Sequence, residues 1–438
     1  MILQDWWFTT LLGIKEPIRE PLRGHLKTDV LIVGAGVAGL SAALCLVGSG
    51  KKVVLVDKNI CGGSSTGKSA GFLTPDSELE LSQLLRKYGT DGARDLWGVA
   101  AKGVEIMVDN IKKHKIECDL QVQDCLFLGK GASGWKDVQD EVESRKKLGY
   151  SSKVYTESEV PSVIGSNAYS GAVRYSGTYG VNPLLYAQGI KQVLLDNGIE
   201  IFESSEVLSW EGHTVYTHLG SVTADQIIFC IDKPKPEITK YHQSVYHAQT
   251  FLSISEPLGN DDIAKLFPQE PLQCWDSDLI YTYFRLTGGK RLLVGGGDIL
   301  TTYAKNDTTT PRVIDHVIHE LKEKIPSIRP LRFIQYWQGR IDMTRDLVPT
   351  VLLDPEHPWA HFVLGCVGLP WGTFCGNFVA KNVLDEQELD SEKYYRYFSP
   401  NRKFVIPLWM ESILGKRLVF TINNAWAKYK QKDVSAKP

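Results

Sequence analysis

Gly34, Gly36 and Gly39 stand in the spacing G-x-G-x-x-G, and an acid, Asp57, follows downstream. Together they can hold a dinucleotide. Gly34 suits a tight turn, Gly36 lets backbone approach a pyrophosphate, and Gly39 lets a helix pack closely on a strand. A helix starting there offers free N–H groups and a positive dipole end to phosphate. Asp57 can accept hydrogen bonds from ribose hydroxyls. Val37, Ala38 and Lys58 flank these positions and join the candidate cofactor contacts.

Such chemistry needs a strand, a turn, a helix and a second strand, in that order. "DVLIV" (29–33) reads as a buried strand, "LSAALCLV" (40–47) as a helix and "KKVVLVDK" (51–58) as the second strand. The rival reading is a membrane span, because Val30 to Gly50 is 21 residues without a charge. Five glycines fall in that run and would weaken a spanning helix. The same glycines fall where a nucleotide fold needs them, with Gly48 or Gly50 ending the helix. The pattern names a dinucleotide without separating NAD from FAD.

The bulk numbers allow two or three domains. The chain has 438 residues, 43% hydrophobic and 23% charged, with net charge −2, which gives no pointer to nucleic acid. Eight cysteines include no CxxC pair, so neither a metal site nor a disulfide framework is predicted, and a reducing, cytoplasmic compartment is favoured. "MILQDWWFTTLLGIKEP" lacks the basic start and cleavage site of a signal peptide.

Further elements follow the opening unit. "CGGSSTGKSAGFLTPDSE" (61–78) is a loop of small and hydroxyl residues that can run against a flat ring. In 177–233, Asn182 caps a helix, Pro183 opens it and Gly198 ends it. "IEIFES", a hairpin over 207–220 and "ADQIIFCI" supply strands. "HFVLGCVGLPWGTFCGNFVAKNVL" (361–384) is a strand, a glycine turn and a helix. Between 240 and 338 the texture alternates as antiparallel strands do, with one helix at 311–325 burying Val313, Val317 and Leu321. On 281–285, Tyr281, Tyr283 and Arg285 share a face by period two. Phenols there can orient a substrate and the guanidinium can fork a carboxylate. His242 and His247 are candidate bases by type.

In this order the motifs resemble the FAD-dependent D-amino acid oxidase/glycine oxidase/sarcosine oxidase superfamily, especially its γ-glutamylputrescine-oxidase-like branch. The resemblance covers about residues 1–400. It rests on 34–39 with Asp57, "STGKSAGF" (65–72), "SSEVLSW…GSVTADQIIFCI", "YTYFRLTGGKRLLVGGG" (281–297), "GRIDMTRDLVP" (339–349) and the strand–glycine–helix at 363–384. Trp6 and Trp7 also fit the branch. It implies an α/β chain with a Rossmann-like FAD-binding domain and an α+β substrate domain whose sheet is mostly antiparallel. The FAD domain would be discontinuous, over 1–80, 150–240 and 339–400. A helical insertion at 81–149 and the substrate domain at 241–338 would complete the body.

The resemblance also implies site residues. The ADP part would lie at Gly34, Gly36, Gly39 and Asp57, with the Val207 backbone at the adenine. Ser65, Thr66, Lys68, Ser69, Ala70 and Gly71, with the turn at Gly368, Leu369 and Pro370, would hold the isoalloxazine, and Gly339 and Asp346 join the cofactor contacts. The 369 helix N-terminus would favour negative charge on reduced flavin. Tyr281, Tyr283, Arg285, Arg340 and Trp371 are the candidate substrate-side residues. A cysteine tethers flavin in some relatives seven residues before the T-x-D aspartate. Here that position is Gly339, which implies non-covalent FAD. Ile341 stands where amino-acid oxidases of the superfamily carry a carboxylate-gripping arginine, and Gly368-Leu369-Pro370 replaces Gly-His-Gly.

The expected activity is therefore oxidation of a small amine at its C–N bond, with oxygen as acceptor. The rivals are a dehydrogenase that passes electrons to a quinone or carrier at a membrane, and a non-catalytic flavin scaffold. The tail, 401–438, carries eight Lys/Arg against two acids, with aromatic and aliphatic residues interspersed. It reads either as a peripheral membrane contact or as a segment packed on the body.

Overall fold

The computed structural model describes residues 1–13, 18–76, 78–278, 281–297, 308–385 and 391–402, with positions 411, 414, 415 and 418 beyond them. Most of the basic tail, including Trp409 and Trp426, lies outside the described residues.

Two sheets organise the chain. The first takes its core from parallel strands: Glu200–Phe202, Val53–Val56, Gly24–Val33, Gly220–Cys230 and Ala360–Leu364, in that spatial order. Their residues are apolar because helices or other chain cover both faces; Val30, Leu31, Ile32, Val54 and Leu55 are fully buried. Register places Val33 opposite Val56 and Phe229, and Cys230 opposite Val363. The carboxyl ends of four strands thus meet along one edge. Gly34, Asp57, Ile231 and Gly365 each follow directly from such an end. Open parallel sheets bind ligands at this edge because helix N-termini also converge there.

The helix Val37–Cys45 starts at the glycine turn, earlier than the predicted 40–47. Asn182 caps Pro183–Asp196 as expected, accepting from the N–H groups of Leu184 and Leu185. The helix Arg312–Lys324 buries Ile314, Val317, Ile318 and Leu321, so Ile314 takes the fully buried place expected of Val313.

The second sheet has nine strands. Its centre, Phe333–Met343, Tyr246–Pro257, Arg291–Gly296 and Tyr283–Leu286, is antiparallel. Gln273–Asp276, Cys125–Gly129, Gly171–Tyr175 and Lys153–Thr156 extend one side, and Ile2–Leu3 closes the other. These strands redraw the expected divisions. The stretch 81–149 is more than a helical insertion, since Cys125–Gly129 joins this sheet. Residues 153–175 belong here rather than with the parallel sheet, and Phe333–Met343 runs across the boundary drawn at 339. Strand pairing between distant segments cannot be read from local alternation.

The loop over 65–71 lies between the two sheets, and its carbonyls are held one by one. Trp337 Nε1 donates to Lys68 O (3.2 Å), Trp7 Nε1 to Ser69 O (2.8 Å) and Arg285 Nε to Ala70 O (2.8 Å). The Val181 N–H donates to Gly71 O (2.9 Å). Arg285 also donates through Nη2 to Val181 O (2.6 Å) and, more weakly, through Nη1 to Leu286 O (3.4 Å). This side chain is fully buried, and burial pulls its ionisation down to about 10. The expected face of Tyr281, Tyr283 and Arg285 therefore breaks. The strand begins only at Tyr283, and Arg285 turns its fork onto backbone instead of a ligand.

Asp346 is a second buried clamp. Arg402 reaches it with Nε (2.8 Å) and Nη2 (2.6 Å), and Thr344, Tyr88 and the Asp346 carbonyl's partner Lys87 surround it. Burial alone would raise this carboxyl; the Arg402 and Lys87 charges prevail and hold it at about 2. Arg345 pairs with Glu411, which also accepts from the Tyr246 hydroxyl. Arg402 and Glu411 of the tail are thus tied to the body. Among the described residues, no helix is long and apolar enough to cross a membrane.

Two outcomes follow. Arg285→Met should cost roughly 2–5 kcal/mol, because each orphaned buried carbonyl costs about 1–3 kcal/mol; denaturant titration with flavin-content assay should show both stability and cofactor retention falling. Arg402→Met should cost about 3–5 kcal/mol by stranding a buried carboxylate. Because the Asp346 carboxyl is depressed in the folded state, its stabilisation is present above about pH 4 and lost as the pH falls towards about 2. Thermal melts across that range should show a slope of about 2–3 kcal/mol in the wild type that Arg402→Met lacks.

Candidate functional site

One cavity of about 550 Å³ runs from the glycine turn, past the 65–70 loop, into the second sheet. At its first end, Gly34 has φ +102°, and a Cβ there would sit 2.1 Å from the Cys230 carbonyl. A Cβ on Gly39 would fall 1.8 Å from Gly34 O, so the helix packs on the turn only as glycine. Gly36 caps the helix, and its neighbour Val37 donates its N–H to Thr66 Oγ1 (3.0 Å). Asp57 accepts from the N–H groups of Ala35 (2.6 Å) and Asn59 (2.7 Å). Burial raises its carboxyl despite those bonds.

Gly34, Gly36, Val37, Ala38, Asp57, Lys58 and Val207 line this end. Ser65, Thr66, Lys68, Ser69 and Ala70 line the middle, together with Gly339, Gly368, Leu369 and Pro370. Gly368, at φ +87°, turns the chain into the helix Leu369–Val383, whose start also faces the cavity. The residues fit a dinucleotide with a flat ring at one end. Two helix N-termini, a glycine cradle that a Cβ would fill and an acid at the strand end converge on a single continuous space.

Several expected contacts lie elsewhere. Gly39 and Gly71 shape the walls from behind: a Cβ on Gly71 would strike Val181 O at 2.0 Å. Asp346 is consumed by Arg402 and does not line the cavity. Trp371 is buried in the core where Leu369–Val383 packs on the long helix Leu81–His114, so it does not face a substrate. That contact is tight enough for a Cβ on Gly103 to fall 1.9 Å from Pro370 O. Tyr281, Tyr283 and Arg340 do line the cavity, whereas Arg285 does not. The two histidines also sit outside it: His247 Nδ1 pairs with Asp342 (2.7 Å), and His242 Nδ1 contacts Thr239 O. Cys366 and Cys230 line the cavity, and Cys61 is buried away from it with its thiol pushed up by desolvation.

The far end holds residues the sequence reading passed over. Asp76, Glu78 and Glu80 follow the 65–71 loop at intervals of two and all line the cavity. Tyr281 donates its hydroxyl to Glu78 Oε2 (2.9 Å), and Trp275 Nε1 donates to Glu80 Oε1 (2.7 Å). Behind them, buried Arg145 pairs with Glu141 (2.8 Å) and Asp76 (3.5 Å). Burial raises the carboxyls of Asp76, Glu78 and Glu80; repulsion from Glu141 adds to it for Asp76, and repulsion from Asp76 and Glu141 adds to it for Glu80. The signal is legible as "DSELE" (76–80), three acids clustered beside a ring-facing loop of small and hydroxyl residues.

Comparison with known proteins agrees with this geometry. A curated relative, "Probable oxidoreductase OrdL" of Haemophilus influenzae, is 26% identical over 381 residues, which is 84% of this chain and 85% of that one. "Gamma-glutamylputrescine oxidoreductase" of Escherichia coli is also 26% identical, over 75% of this chain and 77% of its own. The crystal structure of glycine oxidase from Geobacillus kaustophilus superposes with TM-score 0.74 at 18% identity, over 86% of this chain and all of that one. A family model described as DAO, FAD dependent oxidoreductase, matches residues 29–381. With strand edge, glycine cradle and family match in agreement, the chain belongs to the DAO family of FAD-dependent oxidoreductases.

Proposed function

We propose that the chain oxidises the C–N bond of a small primary or secondary amine, of the γ-glutamylputrescine type or simpler, and passes the electrons to oxygen. The observation that carries this reading is the far end of the cavity, lined by carboxylates and aromatic rings and without the Arg285 fork. An amine enters such a space as a cation, which carboxylates and ring faces attract. An α-amino acid would bring its own carboxylate towards Asp76, Glu78 and Glu80 and be repelled. The relationship to the E. coli gamma-glutamylputrescine oxidoreductase supports the same substrate class.

Bound FAD would supply the hydride acceptor. Gly34, Gly36, Asp57 and the start of Val37–Cys45 would hold its phosphates and ribose; the 65–70 loop and Gly368 would hold its ring. The chain's own contribution is placement. Tyr281 and Tyr283 wall the substrate space, their centroids 5.7 Å apart, and Tyr283 meets Phe72 edge-on at 5.8 Å. These rings exclude water and fix a short alkyl chain against the loop.

Purified holoenzyme mixed anaerobically with a panel of diamines, acylated diamines, N-methyl amines and amino acids should lose its flavin colour with amines and keep it with amino acids. Bleaching by α-amino acids alone would overturn the reading. In aerated buffer with the same amines, oxygen uptake should exceed dye-coupled turnover; the reverse result would assign a carrier as acceptor.

A further inference from the structure

The acids at the far end of the cavity are not equivalent. Asp76 is tied to Thr74 Oγ1 (3.0 Å) and to Arg145. Glu141, behind it, accepts from Arg145 and from the Ser82 N–H (2.8 Å). Glu80 receives the Trp275 indole, and Asp276 has Lys324 at 2.8 Å. Glu78 differs. Among the described residues its carboxylate has one polar partner, the Tyr281 hydroxyl, and no cation.

The local chain explains why Glu78 faces the cavity. It stands midway between Asp76 and Glu80, in the turn joining the strand Phe72–Leu73 to the helix Leu81–His114. Asp76 is fixed towards Arg145, and the Glu80 N–H is fixed to Gln83 Oε1 (3.1 Å). With both flanks held, Glu78 is directed to the tyrosines. Phe72, Tyr281, Tyr283 and Trp275 line the same space, Phe72 meeting Trp275 at 6.4 Å and Tyr283 at 5.8 Å.

A half-buried carboxylate facing an aromatic-walled cavity without a counter-charge is costly when ionised, and aromatic faces attract cations. Resting on the amine reading above, we infer that Glu78, with Phe72, Tyr281 and Tyr283, forms the subsite that docks the substrate's alkylammonium group, and that Glu78 takes its proton. The step balances. An N–H bond of the ammonium breaks, its electron pair stays on nitrogen, and an O–H bond forms on Glu78. The products are a neutral amine and a neutral carboxylic acid, so no charge is left unpaired in the pocket. A neutral amine is the form whose α-carbon can lose hydride. Desolvation raises the Glu78 carboxyl to about 7, against the Tyr281 hydrogen bond that lowers it. The other titratable groups that feel its charge are Tyr281 and Tyr283 on the opposite wall, and Glu80 in the same turn acts on Tyr281 as well.

The test uses FAD-loaded enzyme and tert-butylammonium, which has no hydrogen on its α-carbon and cannot be oxidised. Calorimetry should show binding that strengthens as the pH rises through about 7. Glu78→Gln should weaken that binding roughly ten- to hundredfold, the range of a charge-assisted hydrogen bond, and abolish the pH dependence. Glu78→Asp should give an intermediate affinity and restore the pH dependence, which a merely structural role would not do. Tetramethylammonium, with no proton to give, should bind the wild type but release no flavin-bleaching chemistry. Equal binding and an unchanged pH profile in Glu78→Gln, alongside a wild type that amines do bleach, would overturn the subsite alone. A wild type bleached by no amine would overturn the amine reading and the subsite with it.

Discussion

Four consecutive carbonyls, from Lys68 to Gly71, are each held by a group from a different part of the chain. This constraint fixes the wall on which everything else in the cavity depends. An isolated loop of small residues has little side-chain packing to define it. Here Trp337 comes from the antiparallel sheet, Trp7 from the N-terminal helix, Arg285 from a second strand of that sheet and the Val181 N–H from the chain entering the Asn182 cap. The donors also support one another. Trp7 and Trp337 meet edge-to-face at 6.2 Å, and the Arg285 guanidinium lies 5.8 Å from the Trp7 ring. A residue that looked like a ligand grip therefore acts as a fastener. Burying a guanidinium is costly, and a run of backbone acceptors is one of the few environments that satisfies it without a carboxylate.

The parallel sheet supplies the other fixed wall by a different device. Its strands end in register, and glycines at the turn remove every atom that would separate the helix from the strand end. The Gly34–Gly39 and Gly34–Cys230 approaches leave no space for a methyl group. Glu203 extends the same economy to the next loop. It accepts from the N–H groups of Cys61 and Arg19 and from Lys191, each near 2.7–2.8 Å, and so ties the helix Pro183–Asp196 to the chain just before the ring-facing loop. One wall is thus set by close backbone packing and the other by side-chain clamps on backbone.

What the sequence made legible follows the same division. The glycine spacing, Asp57, the Asn182 cap and the strand–glycine–helix at 361–384 are local signals, and local physics produces them. The sites read less well are those decided by distant partners. Period two put Arg285 on a face with two tyrosines, but the strand starts only at Tyr283 and the fork meets carbonyls from residues 70 and 181. Asp346 belongs to a motif expected beside the flavin, yet Arg402, beyond the last stretch of the resemblance, claims it. Trp371 follows a glycine turn that does face the cavity, but it sits on the opposite side of the helix that begins there. The divisions at 149 and 338 are redrawn for a related reason. The nine-stranded sheet recruits short strands from 125–175, and pairing register is a property of two segments rather than one.

The placement of buried positive charge then accounts for the character of the cavity's far end. Arg145 is buried between Glu141 and Asp76, with its guanidinium 3.4 Å from the centre of the Tyr175 ring and 4.8 Å from Trp97. Arg285 is committed to carbonyls, and Arg402 to Asp346. Each is locked by partners in a dense interior, where a long side chain cannot change allegiance without leaving a buried polar group unpaired. Lys324, which meets Asp276, is similarly occupied. Among the described residues, Asp76 and Asp276 at this end pair with a cation, whereas Glu80 receives the Trp275 indole and Glu78 only the Tyr281 hydroxyl. Folding settles that asymmetry: Arg145, Arg285 and Arg402 are committed to fixed partners, Arg86 on the cavity wall pairs with Asp140, and Glu78 keeps the Tyr281 hydroxyl, which is the contrast on which the amine reading rests.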